Sequence, residues 1–127
     1  MKTLELGGFA AMRCEDKDGI QIASVRGEVD IYSAHRLRAL IWRAKRQAGG
    51  DPPRVVVDLS GVEFMDTAGL EVLLEEWNAS RQFDGRLCLV AQRGPITRLL
   101  ELTGLSELFE LYAEPEVAVD SCALAPA

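Results

Sequence analysis

The chain reads as a single α/β domain, a mixed β-sheet of about four to five strands with helices packed mainly on one face. Three observations predict this. Two β-type segments, Phe9–Cys14 and Ile20–Arg26, flank Asp18–Gly19, a strong hairpin turn signal. After them, helical periodicity alternates with short β-branched runs, the order expected of helices laid on a sheet. The run Arg54–Leu59 is apolar on both faces, which suits a strand covered on both sides, as in a parallel sheet. At 127 residues and 48% hydrophobic content, the chain has the length of one domain over 1–127, with residues 1–8 and 122–127 expected as flexible ends.

The elements follow in order. After the hairpin, a helix runs from about Ser33 to Ala48, because Leu37, Leu40, Ile41 and Ala44 share one face at i, i+3, i+4, i+7 spacing. Gly49–Gly50 ends it, and Asp51–Pro52–Pro53 leads into the strand Arg54–Leu59. Gly61 marks the loop that follows, and a second helix reaches about Ser80 with Leu70, Leu73, Leu74 and Trp77 as its buried stripe. Glu71, Glu75 and Glu76 are expected mostly off that stripe. Asp84–Gly85 turns the chain into strand Arg86–Ala91. Pro95 then opens a third helix at a position where proline is tolerated, Ile96, Leu99 and Leu100 face inward, and Gly104 stops it. Leu108–Tyr112 reads as a last strand and Pro115 as the start of a short C-terminal helix.

Composition excludes several classes of function. With 14 basic and 20 acidic residues the net charge is −6, which argues against nucleic acid or an anionic membrane as partner. The basic set Arg36, Arg38, Arg43, Lys45 and Arg46 reads as the solvated face of the first helix. No apolar run approaches the ~20 residues of a membrane span, so no direct membrane insertion and a cytoplasmic location are expected. Cys14, Cys88 and Cys122 are an odd, widely spaced set without a CxxC pair, read as reduced thiols. Catalytic chemistry is not indicated. His35 is the only histidine and has no nominated partner, no metal-ligand spacing occurs, and no glycine-rich phosphate loop is present, so neither metal nor cofactor is expected.

One stretch carries a sharper signal. Between the strand ending at Asp58–Leu59 and the second helix lies Asp66–Thr67, a good N-cap pair. Such a pair can serve only to start a helix, or it can present the Thr67 hydroxyl at a helix N-terminus, where a phosphate is favoured.

Asp58–Leu–Ser–Gly–Val–Glu–Phe–Met–Asp–Thr–Ala–Gly–Leu70 closely resembles the signature of STAS domains, in particular bacterial anti-sigma factor antagonists. Gly27–Glu–Val–Asp–Ile–Tyr–Ser–Ala34 resembles that family's segment before its first helix, and Leu99–Leu–Glu–Leu–Thr–Gly–Leu105 its third helix and stop. The resemblance implies a STAS-type fold. It also implies a protein that is substrate and switch rather than enzyme, with Thr67, directly after the motif's Asp66, as phosphoacceptor. Threonine replaces the family's usual serine there, and Ala68 stands where a second serine is common. The implied partners are an anti-sigma factor with serine/threonine kinase activity, bound by the unphosphorylated form and released on phosphorylation, and a phosphatase that restores binding. The expected partner-binding residues are Asp30, Ile31, Ser33, Asp66, Thr67, Ala68, Gly69 and Leu70. The Asp–Thr–Ala–Gly–Leu version of the motif also resembles small STAS subunits that dock on the ATPase of bacterial lipid-transport ABC systems, with the threonine as a contact.

Overall fold

The computed structural model describes residues 9–124. Five strands and four helices alternate after an initial hairpin: β1 Phe9–Lys17, β2 Ile20–Val29, α1 Ala34–Gln47, β3 Arg54–Met65, α2 Thr67–Gln82, β4 Arg86–Val90, α3 Pro95–Leu102, β5 Glu110–Tyr112 and α4 Pro115–Ala123. The sheet order is β1-β2-β3-β4-β5, with β1 antiparallel to β2 and every other pair parallel. The β1–β2 turn places Asp18 and Gly19 at φ 55° and 87°, the doubly left-handed geometry that an Asp-Gly hairpin turn favours.

Three helices cover one face of the sheet. Leu37, Leu40 and Ile41 of α1, Leu70 and Leu73 of α2, and Ile96 and Leu100 of α3 close over Ala23, Val25, Val55, Val57, Leu59 and Leu87. The fourth helix covers part of the other face, where Ala118, Val119 and Cys122 meet Ile20, Ile22, Val56, Cys88 and Val90. Two arginines at the starts of neighbouring parallel strands fasten its end. Arg54 donates to the carbonyls of Cys122 and Ala123 at 2.9 Å each, and Arg86 to that of Ser121 at 2.6 Å. Cations at a helix C-terminus meet both the orphan carbonyls and the negative end of the dipole. The flexible end expected from residue 122 therefore does not begin there, since Cys122 is buried and Ala123 closes α4. Residues 1–8 and 125–127 lie outside the described residues.

Two further expectations change. The loop expected around Gly61 is strand, because β3 continues to Met65. Its pairing with β2 shifts register twice, between Ser24 and Arg26 and between Gly27 and Glu28, and each shift sets an extra β3 residue against β2. The buried residues accordingly fall at Leu59, Val62 and Met65, every third position rather than every second. Beyond Asp58, β3 pairs with β2 alone, since β4 partners only Arg54–Asp58.

Glu76, expected off the buried stripe, is 5% exposed. It sits between α1 and α2, accepting from the Trp42 indole N–H and the Lys45 ammonium, each at 2.9 Å. A buried carboxylate is tolerated there because both of its oxygens are paired. The basic face of α1 thus partly serves helix packing, with Arg38 also pairing with Glu75.

Candidate functional site

At the C-terminal ends of β2 and β3 two chain segments are tied together by one carboxylate. Asp66 closes β3 by donating its own N–H to the Val29 carbonyl at 3.1 Å, which joins the strand ends. Its Oδ1 accepts the Ala68 N–H at 2.9 Å and so caps α2, while Oδ2 accepts the Ile31 N–H at 3.2 Å from the β2–α1 connection. A residue chosen for its capping chemistry thus also fixes the neighbouring loop.

That loop is braced from within. Asp30 Oδ1 accepts the N–H groups of Tyr32 at 2.9 Å and Ser33 at 3.1 Å, an Asx-type turn that aspartate forms readily. The Ser33 hydroxyl accepts the Asp30 N–H at 3.0 Å and lies 3.3 Å from the Glu28 carbonyl. Because these groups are satisfied inside the loop, Ile31 and Tyr32 are turned outward, 70% and 82% exposed.

Thr67 is the first residue of α2 and exposed. Its hydroxyl makes no hydrogen bond among the described residues. Phe64, 49% exposed, stands on β3 beside Glu28 of β2, close along the chain to Thr67. At this end of the sheet Thr67, Ile31 and Tyr32 are exposed on the two segments that Asp66 ties together, and Phe64 is exposed on β3, on the opposite face from its buried neighbour Met65.

The sequence-predicted residues divide by role. Ile31 and Thr67 are on the surface, whereas Asp30 and Asp66 hold the two segments in place with their carboxylates. Ala68 is half-buried against the core. Ser33, Gly69 and Leu70 are buried in this chain. For Gly69 the reason is spatial. A Cβ there would lie 2.8 Å from both Met65 Cγ and Val29 Cγ1, so the missing side chain lets α2 settle onto the strand ends. Leu70 belongs to the core through the same close approach. Tyr32 and Phe64 escaped the sequence reading. For Tyr32 the signal available was an aromatic residue inside an Asp-x-x-Ser turn. For Phe64, the β3 bulges removed the alternation that would have shown it facing out.

The STAS domain family matches residues 11–118. The chain is 32% identical over 102 residues to the anti-sigma-F factor antagonist RsfB of Mycobacterium tuberculosis, covering 77% of each chain. It is 29% identical over 101 residues to the anti-sigma-B factor antagonist of Staphylococcus aureus, covering 80% of this chain and 91% of that one. Among solved structures, an anti-sigma factor antagonist from Mycobacterium paratuberculosis superposes with a TM-score of 0.77 at 32% identity, over 88% of this chain and 92% of its own. With a mixed five-stranded sheet, the bulged β3 leading to the Asp66 cap, and these relatives, the chain belongs to the STAS domain family, alongside bacterial anti-sigma factor antagonists.

Proposed function

We propose that this chain is an anti-sigma factor antagonist that works in the cytoplasm by partner switching. Unphosphorylated, it binds a kinase-fold anti-sigma factor through the surface around Thr67. Transfer of the γ-phosphoryl group of ATP to the Thr67 oxygen, with loss of the hydroxyl proton and release of ADP, ejects it, and a serine/threonine phosphatase restores it. The observation that carries this reading is the exposed, unengaged Thr67 hydroxyl at the start of α2, next to the exposed Ile31–Tyr32 turn that Asp66 ties to that helix.

Physical chemistry explains how one modification would suffice. A phosphate adds roughly −1.5 to −2 charges at pH 7. A helix N-terminus offsets only about 0.3–1 kcal/mol of that at an exposed site. At this terminus the Ala68 N–H is already taken by Asp66, and Glu71 lies one turn along the same helix face. A dianion enclosed in an interface would lose its water, which is strongly unfavourable unless a counter-charge replaces it. The fold need not move for binding to be lost.

The test compares wild type with Thr67→Ala and Thr67→Glu against candidate kinase-fold anti-sigma factors, with and without ATP. Phosphate transfer to wild type alone, binding by the Ala variant and failed binding by the Glu variant are the expected results. Absence of both transfer and binding, with capture of a transport ATPase instead, would replace this reading with the transporter-subunit role.

A further inference from the structure

The two edges of the sheet are unequal. At one side β5 is three residues long, too short to recruit another strand. At the other, β1 is nine residues long and, among the described residues, pairs only with β2, so its outer row of N–H and C=O groups faces away from the sheet. Exposed edges of that length are commonly guarded by charge, and β1 carries Arg13, Glu15 and Lys17 on one face. Their partners across the hairpin, Ser24, Ile22 and Ile20, place them on the α4 side of the sheet.

Charge guards an edge only if like charges meet when a second copy approaches. Antiparallel pairing of β1 with itself about a two-fold axis sets residue i opposite a residue fixed by the axis, so each register can be checked. An axis through Arg13 or through Glu15 puts like charges opposite each other. An axis through Asp16 sets Glu15 opposite Lys17 but also sets the Asp16 carboxylate against itself, and it leaves only a short overlap. An axis through Cys14 sets Arg13 opposite Glu15 of the second copy and Glu15 opposite its Arg13, two favourable cross-strand pairs on one face. Lys17 then falls opposite Ala11. Within one chain Arg13 and Glu15 already pair along the strand at 3.2 Å, so the dimer extends an existing ion pair into a group of four alternating charges.

The strand's geometry selects the same centre. The β1–β2 register is irregular between Phe9 and Ala11 and regular from Ala11 to Lys17, and Cys14 is the midpoint of that regular stretch. We propose that this chain forms a two-fold homodimer through its β1 edge, centred on Cys14, which joins two five-stranded sheets into one. The two Thr67 surfaces then lie at opposite ends of the joined sheet, each open to its own partner.

Sedimentation velocity on the full chain, over micromolar to sub-millimolar concentrations, tests this with charge exchange. Wild type is expected to dimerise. R13E sets carboxylates against each other across the two-fold axis, and E15R sets guanidinium groups against each other. Each single variant is therefore expected to weaken the dimer by about tenfold or more. R13E/E15R restores opposite charges and is expected to recover association close to wild type. Both side chains are exposed, and thermal midpoints matching wild type at a dilution where all are monomeric would show that the variants fold. A wild type that stays monomeric at the highest concentration would overturn the proposal. So would a dimer indifferent to both single exchanges, or a double exchange no stronger than the singles.

Discussion

Gly69 and Tyr32 stand at one end of the sheet and do opposite work. Gly69 is a contact between α2 and the ends of β2 and β3, so Gly69→Ala drives a methyl into Met65 and Val29. Overpacking of that kind costs about 1–3 kcal/mol, which urea unfolding would read as a lowered midpoint with unchanged slope. Tyr32→Ala removes an exposed ring whose backbone is held by Asp30. Stability should stay within about 0.5 kcal/mol of wild type. On the proposed function, affinity for the anti-sigma factor should fall by about 2 kcal/mol, as for an aromatic anchor in an interface, and calorimetric titration would measure it. A glycine read from sequence as partner contact or helix entry is thus a packing device, because a sequence shows that a side chain is missing but not what lies in its place.

Between elements, the contact of α1 with α2 turns on Glu76. Truncation to alanine leaves the Lys45 ammonium and the Trp42 N–H without their acceptor, and losing a charged partner of this kind costs about 1.5–3 kcal/mol. Glu76→Ala should therefore destabilise the wild-type chain by that amount and a Lys45→Met background clearly less, a difference that a double-mutant cycle in urea isolates. Most elements were legible because their signals are local: the Asp18–Gly19 turn, the α1 stripe, the Pro95 start and the Gly104 stop. Two failures share a cause. Glu76 reads as surface by residue type, and only the facing helix reveals the lysine and indole that hold it. The outer half of β3 reads as loop because two bulges convert a period of two into a period of three, and bulges arise from pairing with β2 rather than from β3 alone.

Across the whole molecule, the α4 face is tied down by charge as well as by apolar contact. The Arg86 hydrogen bond holds the Glu110 carboxyl below the ordinary glutamate range, against the upward push of partial burial. A folded value lowered in this way contributes stability above the ordinary glutamate pKa, and that contribution is lost as pH falls through the lowered folded value. Urea midpoints followed down that range should drop more steeply for wild type than for Glu110→Gln, whose curve lacks this component. On the same face, the neighbouring Cys122 thiol, together with burial, pushes Cys88 upward, so it remains a protonated core residue at neutral pH.

The outer half of β3, paired with β2 alone beyond Asp58, has a consequence for how such a protein diversifies. The residues that face out there and in the adjoining loop, Phe64, Ile31 and Tyr32, are not among those that close the main core between the sheet and its helices. On the proposed function, substitutions that retune recognition and substitutions that retune folding therefore act on largely separate sets of contacts, and their free energies should add. A lineage of duplicated copies could drift toward new partners at these positions while keeping one scaffold, with Asp66 as the point where the two sets of constraints meet.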